Sequence, residues 1–232
     1  MTTTALSCGN ANHSPSSIRD GVRWVEVSST PGKAEVDPLL EESVDRLVVH
    51  GTDADLAAVI VRLLRKERLA TITVGYLPVW ASPASKLWGI APGSEIAFTG
   101  EPRPAALIRD DAGGVLVGAG TITPITGQVY CEDQLVLTGS ALAVEVGPDP
   151  DATPLPEPTA DPNATLLEPA EDGLRVTVRR RGLLRQRRET TRGRAVQANM
   201  RSTEVTLDGR PHPRPARTWG WYRHTEDLQL IR

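Results

Sequence analysis

The sequence predicts an α/β fold in which a short parallel sheet with helices forms an N-terminal layer and a β-rich domain follows. Apolar residues at 56, 59, 60, 63 and 64 have the spacing of a helix that packs on a sheet. Short β-branched segments come before and after that helix. Beyond residue 90, short apolar runs alternate with glycine, proline and aspartate turns, a pattern typical of an all-β region.

The N-terminal half contains three predicted strands. Residues 22–27 and 47–49 are short and β-branched, and residues 70–77 alternate apolar and polar side chains before Pro78. Strand, helix and strand at this spacing predict a right-handed crossover in a parallel sheet. Because ligands of such sheets bind at the carboxyl ends of the strands, the turns after these strands are the candidate site.

A second helix is predicted between the first two strands. Asp37 is a suitable N-cap, and Pro38 at the first helical position lacks only an N–H that would have no helical partner there. We expect this helix to end near Asp45.

The second half is predicted to be β-structure interrupted by one long loop. Residues 147–169 contain seven prolines and a strongly acidic balance, so we expect a flexible, solvated loop. Strands resume at 174–178, 204–207 and 228–231, and Asp208-Gly209 is a hairpin turn signal. The predicted domains are therefore a disordered tail over 1–21, an α/β domain over 22–92 and a β-rich domain over 93–232.

Composition limits the classes of function. The net charge of −3 gives no global attraction to nucleic acid or to an anionic membrane. Two cysteines, Cys8 and Cys131, are too few for a disulfide framework and have no metal-ligand spacing, which fits a reduced cytoplasmic setting. No apolar run is long enough for a secretory signal or a membrane span. Only three of the 26 basic residues are lysine, a bias that favours a bacterial, GC-rich genome.

Two turns lie where a nucleotide would bind in such a sheet. The first is Gly51-Thr52-Asp53-Ala54-Asp55, and the second is Leu77-Pro78-Val79-Trp80-Ala81-Ser82-Pro83, followed by Lys86-Leu87-Trp88-Gly89-Ile90. Pro169-Ala170-Glu171-Asp172-Gly173-Leu174 and Leu207-Asp208-Gly209-Arg210 follow in the second half.

The order of these segments resembles the diacylglycerol kinase catalytic family, which includes bacterial lipid kinases and is related to NAD kinases. The family has Gly-Gly-Asp-Gly-Thr at the first turn, Pro-Leu-Gly-Thr-x-Asn-Asp at the second and Asp-Gly-Glu near its C-terminus. Ser28 to Gly32 is similar to the turn that ends the family's first strand, with only the glycine retained. The resemblance covers about Val22 to Arg232, and the short interval between Gly32 and Gly51 implies that one strand and helix of the layer are missing.

The resemblance implies ATP-dependent phosphorylation of a lipid, or of an NAD-type substrate, with Mg²⁺ as the metal. It assigns nucleotide binding to Gly32, Gly51, Asp53 and Pro78, and a catalytic role to Asp208.

The departures from the family pattern predict that this activity is weakened or lost, leaving a binding or regulatory domain. Thr52, Ala54 and Trp80 place side chains where the family has none, and we expect them to close the nucleotide cleft. Asp55 adds negative charge beside a triphosphate. Arg210 stands at the family's general-base position, where an arginine cannot accept a proton. The alternative is an active lipid or NAD-type kinase.

A basic segment gives a third interpretation. Arginines that could contact anionic lipid headgroups at a membrane surface are Arg180, Arg181, Arg185, Arg187 and Arg188. The segment has no interleaved aromatic residues, which disfavours nucleic acid, and a solvated hairpin face is the simpler interpretation.

An aromatic cluster, a histidine and a cysteine are further candidates for a functional role. Trp219, Trp221 and Tyr222 could form a ligand platform, but their alternation favours packing in the core or at an edge. His50 follows a buried strand and is expected to be structural. Cys131 precedes two acidic residues, which raise a thiol pKa and disfavour a nucleophile.

Overall fold

Four parallel strands begin the fold, and most of the remaining chain forms two further sheets. A computed structural model describes residues 2–9, 21–155, 172–182 and 186–232. The N-terminal elements are β1 (Thr3–Cys8), β2 (Arg23–Val27), α1 (Lys33–Glu41), β3 (Arg46–Gly51), α2 (Asp53–Arg65), β4 (Thr73–Pro78), α3 (Pro83–Leu87) and α4 (Ile96–Thr99). The later strands are β5 (Pro102–Ala105), β6 (Ile108–Asp110), β7 (Val115–Leu116), β8 (Gly120–Ile122), β9 (Ile125–Cys131), β10 (Gln134–Ala141), β11 (Ala143–Pro148), β12 (Leu174–Arg180), β13 (Arg187–Gly193), β14 (Ala195–Thr203), β15 (Val205–Leu207), β16 (Arg210–Pro211), β17 (Ala216–Arg223) and β18 (Leu228–Ile231).

The first sheet has the spatial order β2-β1-β3-β4-β18-β5. Strands β1 to β4 and β18 run parallel, and β5 pairs antiparallel with β18. Helix α2 presents the predicted apolar stripe to this sheet, and Leu56, Val59, Ile60 and Leu63 are all buried in one core with β3 and β4. The predicted α/β layer is confirmed.

Strand β1 corrects the expectation of a disordered tail over 1–21. Thr3–Cys8 pairs with β2 on one side and β3 on the other, and Ala5, Leu6 and Cys8 are fully buried. A strand with neighbours on both sides gains its stability from them rather than from its own composition. Ser28–Gly32 therefore follows the second strand of the chain, not the first. Residues 10–20 of the predicted tail lie outside the described residues.

The C-terminal strand β18 returns to the first sheet, where it lies between β4 and β5. The boundary predicted at residue 92 is therefore wrong for β5 and β18, which belong to the N-terminal layer. Leu228 and Leu230 share the core of α2 and β4. The chain thus crosses between the two layers twice.

Helix α1 begins five residues earlier than predicted. Gly32 is its N-cap, and Pro38 lies inside the helix rather than at its start. Asp37 is consequently not a cap. Its carboxylate accepts two hydrogen bonds from the Arg62 guanidinium of α2, at 2.7 and 2.8 Å, which joins the two helices.

The β-rich half contains two six-stranded sheets that pack face to face. The second sheet has the order β10-β9-β14-β17-β6-β7, and the third has the order β13-β12-β11-β8-β15-β16. Their inner faces form one core, in which Trp221 is fully buried and Trp219 is 4% exposed. These two tryptophans are core residues, as favoured above, whereas Tyr222 lies at the surface. The predicted β-rich domain is confirmed.

The acidic loop is shorter and better anchored than predicted. Gly147 and Pro148 belong to β11, and Asp149 is buried beside Arg175 and Arg192. Residues 156–169 of the predicted flexible loop lie outside the described residues. Within the described ranges, no helix combines the length and apolar character needed to span a membrane.

Candidate functional site

The carboxyl ends of the parallel strands bring four turns to one edge of the first sheet. They follow β1 at Gly9, β2 at Ser28–Gly32, β3 at Gly51–Thr52 and β4 at Val79–Ser82. Gly51 and Pro78 are register partners, and Val79 N–H donates to the Gly51 carbonyl at 3.2 Å. Gly51 and Pro78, two of the predicted site residues, thus lie side by side.

The Glu35 carboxylate accepts hydrogen bonds from the donor groups of the turn after β2. Its carboxylate accepts the Ser28 N–H at 2.7 Å, the Ser28 hydroxyl at 2.7 Å and the Gly32 N–H at 3.2 Å. The Ser28 backbone bond is the main cause of a lowered Glu35 pKa. The predicted nucleotide residue Gly32 therefore donates its N–H to a side chain of its own helix.

Asp55 is fully buried and likewise accepts hydrogen bonds from the donor groups of the turn after β3. Its Oδ2 accepts the Thr52 N–H and hydroxyl, both at 2.8 Å, and its Oδ1 accepts the Thr30 N–H at 2.7 Å and the Ser29 hydroxyl at 3.5 Å. Because Thr52 caps α2, the bonds to Thr52 form a capping box. The bonds to Ser29 and Thr30 come from a different turn.

Asp53 is buried at the start of α2, and both of its oxygens are bound. Oδ1 accepts the Tyr76 hydroxyl at 2.7 Å and the Ser82 hydroxyl at 2.6 Å, while Oδ2 accepts the Ala84 N–H at 3.0 Å. Burial is the main cause that raises the Tyr76 pKa far above its ordinary value, and the charge of Asp53 adds to it. Asp53 therefore joins β4 and α3 to α2.

Asp208 belongs to the β-rich half and lies near Asp53, at the junction between the two halves of the chain. It lies in the β15–β16 turn with a φ of 48°, followed by Gly209 at 82°, the left-handed pair of a two-residue hairpin. Its carboxylate accepts the N–H groups of residues 117, 118 and 119 at 2.8 to 3.0 Å. Burial is the main cause that raises the Asp208 pKa to about 7; the three N–H donors act against this rise, and the charge of Asp53 contributes to it.

Two exposed side chains border the junction. Arg210 is exposed, and its guanidinium donates to the Thr30 hydroxyl at 2.6 Å, so it reaches from the β-rich half to the turn after β2. Trp80 is 56% exposed. Closure of the cleft by Trp80 stays a prediction, whereas the buried carboxylate of Asp55 holds donor groups of two turns.

The geometry can be compared with that of known proteins. No family model and no curated protein matches the sequence. The structure is similar to a diacylglycerol kinase from Bacillus anthracis str. Sterne, with 13% identity, a TM-score of 0.61, and coverage of 99% of this chain and 96% of that one. It is also similar to an NAD kinase from Archaeoglobus fulgidus in complex with ATP, with 8% identity, a TM-score of 0.53 and coverage of 99% and 93%. The chain has the fold shared by these two kinases.

Within this fold, the predicted nucleotide-binding and catalytic residues lie at one junction, whereas the predicted lipid-contact arginines do not. Gly32, Gly51, Asp53 and Pro78 lie along the edge of the first sheet, and Asp208 faces them. Their roles in nucleotide binding and catalysis stay predictions. Among the described residues, no group of three or more histidine, cysteine or acidic side chains is arranged to hold a metal ion.

The sequence interpretation missed two residues of the junction. Glu35 stands three residues after Gly32, which is capping-box spacing, but Asp37 followed by Pro38 is the stronger local signal for a helix start. Gly118 carried no local signal, although its position decides how the two halves of the kinase fold meet.

The arginine segment lies mostly in the β12–β13 hairpin, away from the junction, and one glutamate pairs with two of its arginines. Arg180 and Arg187 both contact Glu189, and Arg180 also donates to the Val136 carbonyl. Arg181 and Arg188 are exposed, and Arg185 lies outside the described residues. Lipid contact by these arginines stays a prediction.

Two other expectations concern single side chains. His50 is buried beside Trp24 at a ring distance of 6.3 Å, and burial lowers its pKa. Cys131 is buried, and burial, then Glu132, raise its pKa to about 11. Both arrangements fit structural residues.

Proposed function

We propose that this protein is a diverged lipid-kinase-like protein in which ATP-dependent phosphorylation is weakened or lost, and that it acts as a binding or regulatory domain. The observation that carries the proposal is the Asp55 carboxylate, which holds the donor groups of two neighbouring turns. In a phosphate-binding turn these N–H groups and hydroxyls would face the ligand.

A phosphate would have to displace Asp55 to reach these donors. The carboxylate is attached to α2, so it competes as an intramolecular ligand at high effective concentration. If it stayed in place, its charge would repel a phosphate by about 1 kcal/mol or more at 4 Å even in water. Both effects favour the state in which Asp55 stays bound to the turns and phosphate is excluded.

A magnesium–triphosphate does not fit the residues present. A magnesium site needs carboxylate oxygens that are free to bind the ion, but protein donors already use three of the roughly four acceptor sites of Asp53. Asp208 accepts three N–H groups, and burial opposes its ionisation. Arg210, at the family's base position, is a permanent cation. No catalytic step is therefore derived through the metal or the nucleotide.

The test measures whether removing the Asp55 carboxylate from the turns restores nucleotide binding. We expect ATP with Mg²⁺ to leave the melting temperature of the wild-type protein unchanged. Asp55→Thr, which installs the residue of the family motif, should gain an ATP-dependent stabilisation, which reaches about 2.7 kcal/mol at 100 times the dissociation constant. Asp55→Asn, which keeps the side-chain shape, separates the effect of charge from that of space.

Controls keep the test interpretable if Asp55→Thr unfolds. Glu35→Gln changes a neighbouring carboxylate without releasing the Thr52 and Thr30 amides, so it should gain no ATP response. Phosphate transfer from labelled ATP to diacylglycerol and to NAD is measured for the wild type. A wild-type ATP shift that Asp53→Ala removes, accompanied by transfer, would overturn the proposal in favour of an active kinase.

A further inference from the structure

An open groove of about 600 Å³ lies on the second sheet, whereas the β15–β16 turn that carries Asp208 belongs to the third sheet. It lies where β9, β14 and β17 meet. The side chains that give it its character are Thr126, Gln128, Asn199, Arg201, Ser202 and Arg217. A largely apolar lining with a small number of polar and charged groups is the usual composition of a ligand pocket, and here two of those groups are cations.

Two arginines line the groove without a carboxylate. Arg201 and Arg217 are exposed, and within the described part of the chain neither has an ion pair, a hydrogen bond or a ring contact. None of the described residues that line the groove is acidic. This differs from the β12–β13 hairpin, where Glu189 serves two arginines.

The backbone brings the two arginines together. The pairing of β14 with β17 shifts between Asn199 and Thr203, so a bulge carries Arg201 towards the start of β17, where Arg217 follows Ala216. Both arginines belong to the lining of one groove, so an anion bound there can pair with them.

Gly127 is one of the residues that line the groove. A Cβ at this position would lie 2.1 Å from the Asn199 carbonyl oxygen and 2.6 Å from the Met200 Cα. Only glycine lets β9 approach β14 this closely beside the groove.

Uncharged donors and acceptors surround the arginines. The side chains of Gln128, Asn199 and Ser202 have no hydrogen bond to other residues in the described ranges. Amides and hydroxyls of this kind bind ligand hydroxyl groups, while two guanidinium groups match the oxygens of a phosphate. The set combines recognition of an anion with recognition of a polyol.

We infer that this groove binds the phosphate monoester of a small polyhydroxylated molecule, with Arg201 and Arg217 on the phosphate and Gln128 and Asn199 on the hydroxyls. The site goes beyond the proposed function, because it uses neither Asp55 nor the turns of the first sheet. Such a ligand would be the molecule that the proposed regulatory domain binds.

The experiment titrates the whole protein with glycerol 3-phosphate and with glucose 6-phosphate in a calorimeter. Glycerol and glucose are the uncharged matched ligands. We expect saturable binding of the phosphate esters only, weakened by added salt. Arg201→Gln and Arg217→Gln should each raise the dissociation constant about tenfold, since a hydrogen bond to a charged group is worth about 1.5 kcal/mol or more. Arg188→Gln, an exposed arginine of the third sheet, is the matched control and should leave it unchanged.

The outcomes distinguish binding in this groove from binding at the turns of the first sheet. Binding that survives in Asp55→Thr but falls in both groove variants supports the inference, whatever the result with ATP. Absence of binding by both esters, or binding that neither groove variant weakens, overturns it. Binding only to vesicles of phosphatidic acid in phosphatidylcholine also overturns it, because it would indicate a lipid surface rather than a small ligand.

Discussion

Asp53 and Asp208 come from different halves of the chain and meet across one glycine, Gly118. Gly118 N–H donates to Asp208 Oδ1 at 2.8 Å. On its other side, a Cβ built on Gly118 would lie 3.0 Å from Asp53 Oδ2 and 2.7 Å from the Ala84 nitrogen. The α/β layer and the β-rich half are therefore joined at a point where only a glycine fits.

Replacing this glycine should loosen the junction. In Gly118→Ala the methyl group meets the Ala84 backbone, which cannot move as a flexible side chain would, and we expect a loss of about 1–3 kcal/mol in the free energy of unfolding. Denaturant unfolding measures it. Gly32→Ala is the control, because nothing lies within 4 Å of a Cβ there, and its cost should stay below about 1 kcal/mol. Equal losses in the two variants would contradict the close contact at Gly118.

Asp208 should make stability depend on pH. Its pKa is raised from 3.8 to about 7, so the folded state keeps the proton that the unfolded state has already lost. The stability contributed by this proton is complete below about pH 4 and is lost as the pH rises through about 7. The slope is at most about 1.4 kcal/mol for each pH unit.

The measurement is the free energy of unfolding of the wild type minus that of Asp208→Asn between pH 4 and 7. The difference is needed because burial lowers the pKa values of His50 and His224, which change stability in the opposite direction. Asp208→Asn should be less stable at low pH and lose the falling slope. A pH-independent difference would mean that Asp208 ionises normally.

Local patterns were enough to predict α2 and the turn at Asp208-Gly209. The helix carries its own apolar stripe, and the turn needs only two residues that tolerate positive φ. Both signals lie within the segment itself, so no knowledge of distant neighbours was required.

Features that depend on distant neighbours could not be predicted in this way. Strand β1 is buried because β2 and β3 flank it, and β18 pairs with β4 about 150 residues earlier in the chain. The charge of Asp55 was noticed, but its bond to Thr30 exists only because the sheet places two turns side by side. Sequence spacing thus located the candidate site without showing what fills it.

The Asp37–Arg62 pair should be essential for holding α1 on α2. The side chains are 6% and 11% exposed, and Arg62 is the main cause of the lowered Asp37 pKa. Asp37→Asn leaves a nearly buried guanidinium without its charge partner, so we expect a loss of about 3 kcal/mol in denaturant unfolding.

The exposed pair Arg23–Glu42 is the control for this prediction. Its side chains are 54% and 47% exposed, and Glu42→Gln should cost less than about 1 kcal/mol. Because the Asp37 pKa is lowered, the contribution of the pair is present above about pH 4 and is lost as the pH falls through the folded pKa. Comparable costs in the two variants would show that burial does not strengthen the Asp37 pair.

Glu189 should determine whether the arginine hairpin attracts anionic membranes. It contacts both Arg180 and Arg187 and offsets one of their two charges, so we expect weak co-sedimentation of the wild-type protein with phosphatidylglycerol vesicles. Glu189→Gln removes this one negative charge and should strengthen binding by about 1 kcal/mol. Added salt should remove the gain, because surface charges are screened. Glu145→Gln makes the same change in net charge beside Arg179 on the neighbouring strand, and it should give a smaller gain because it leaves one arginine rather than two without an acidic partner. Salt-insensitive binding in all three proteins would show that the arginines do not carry the interaction.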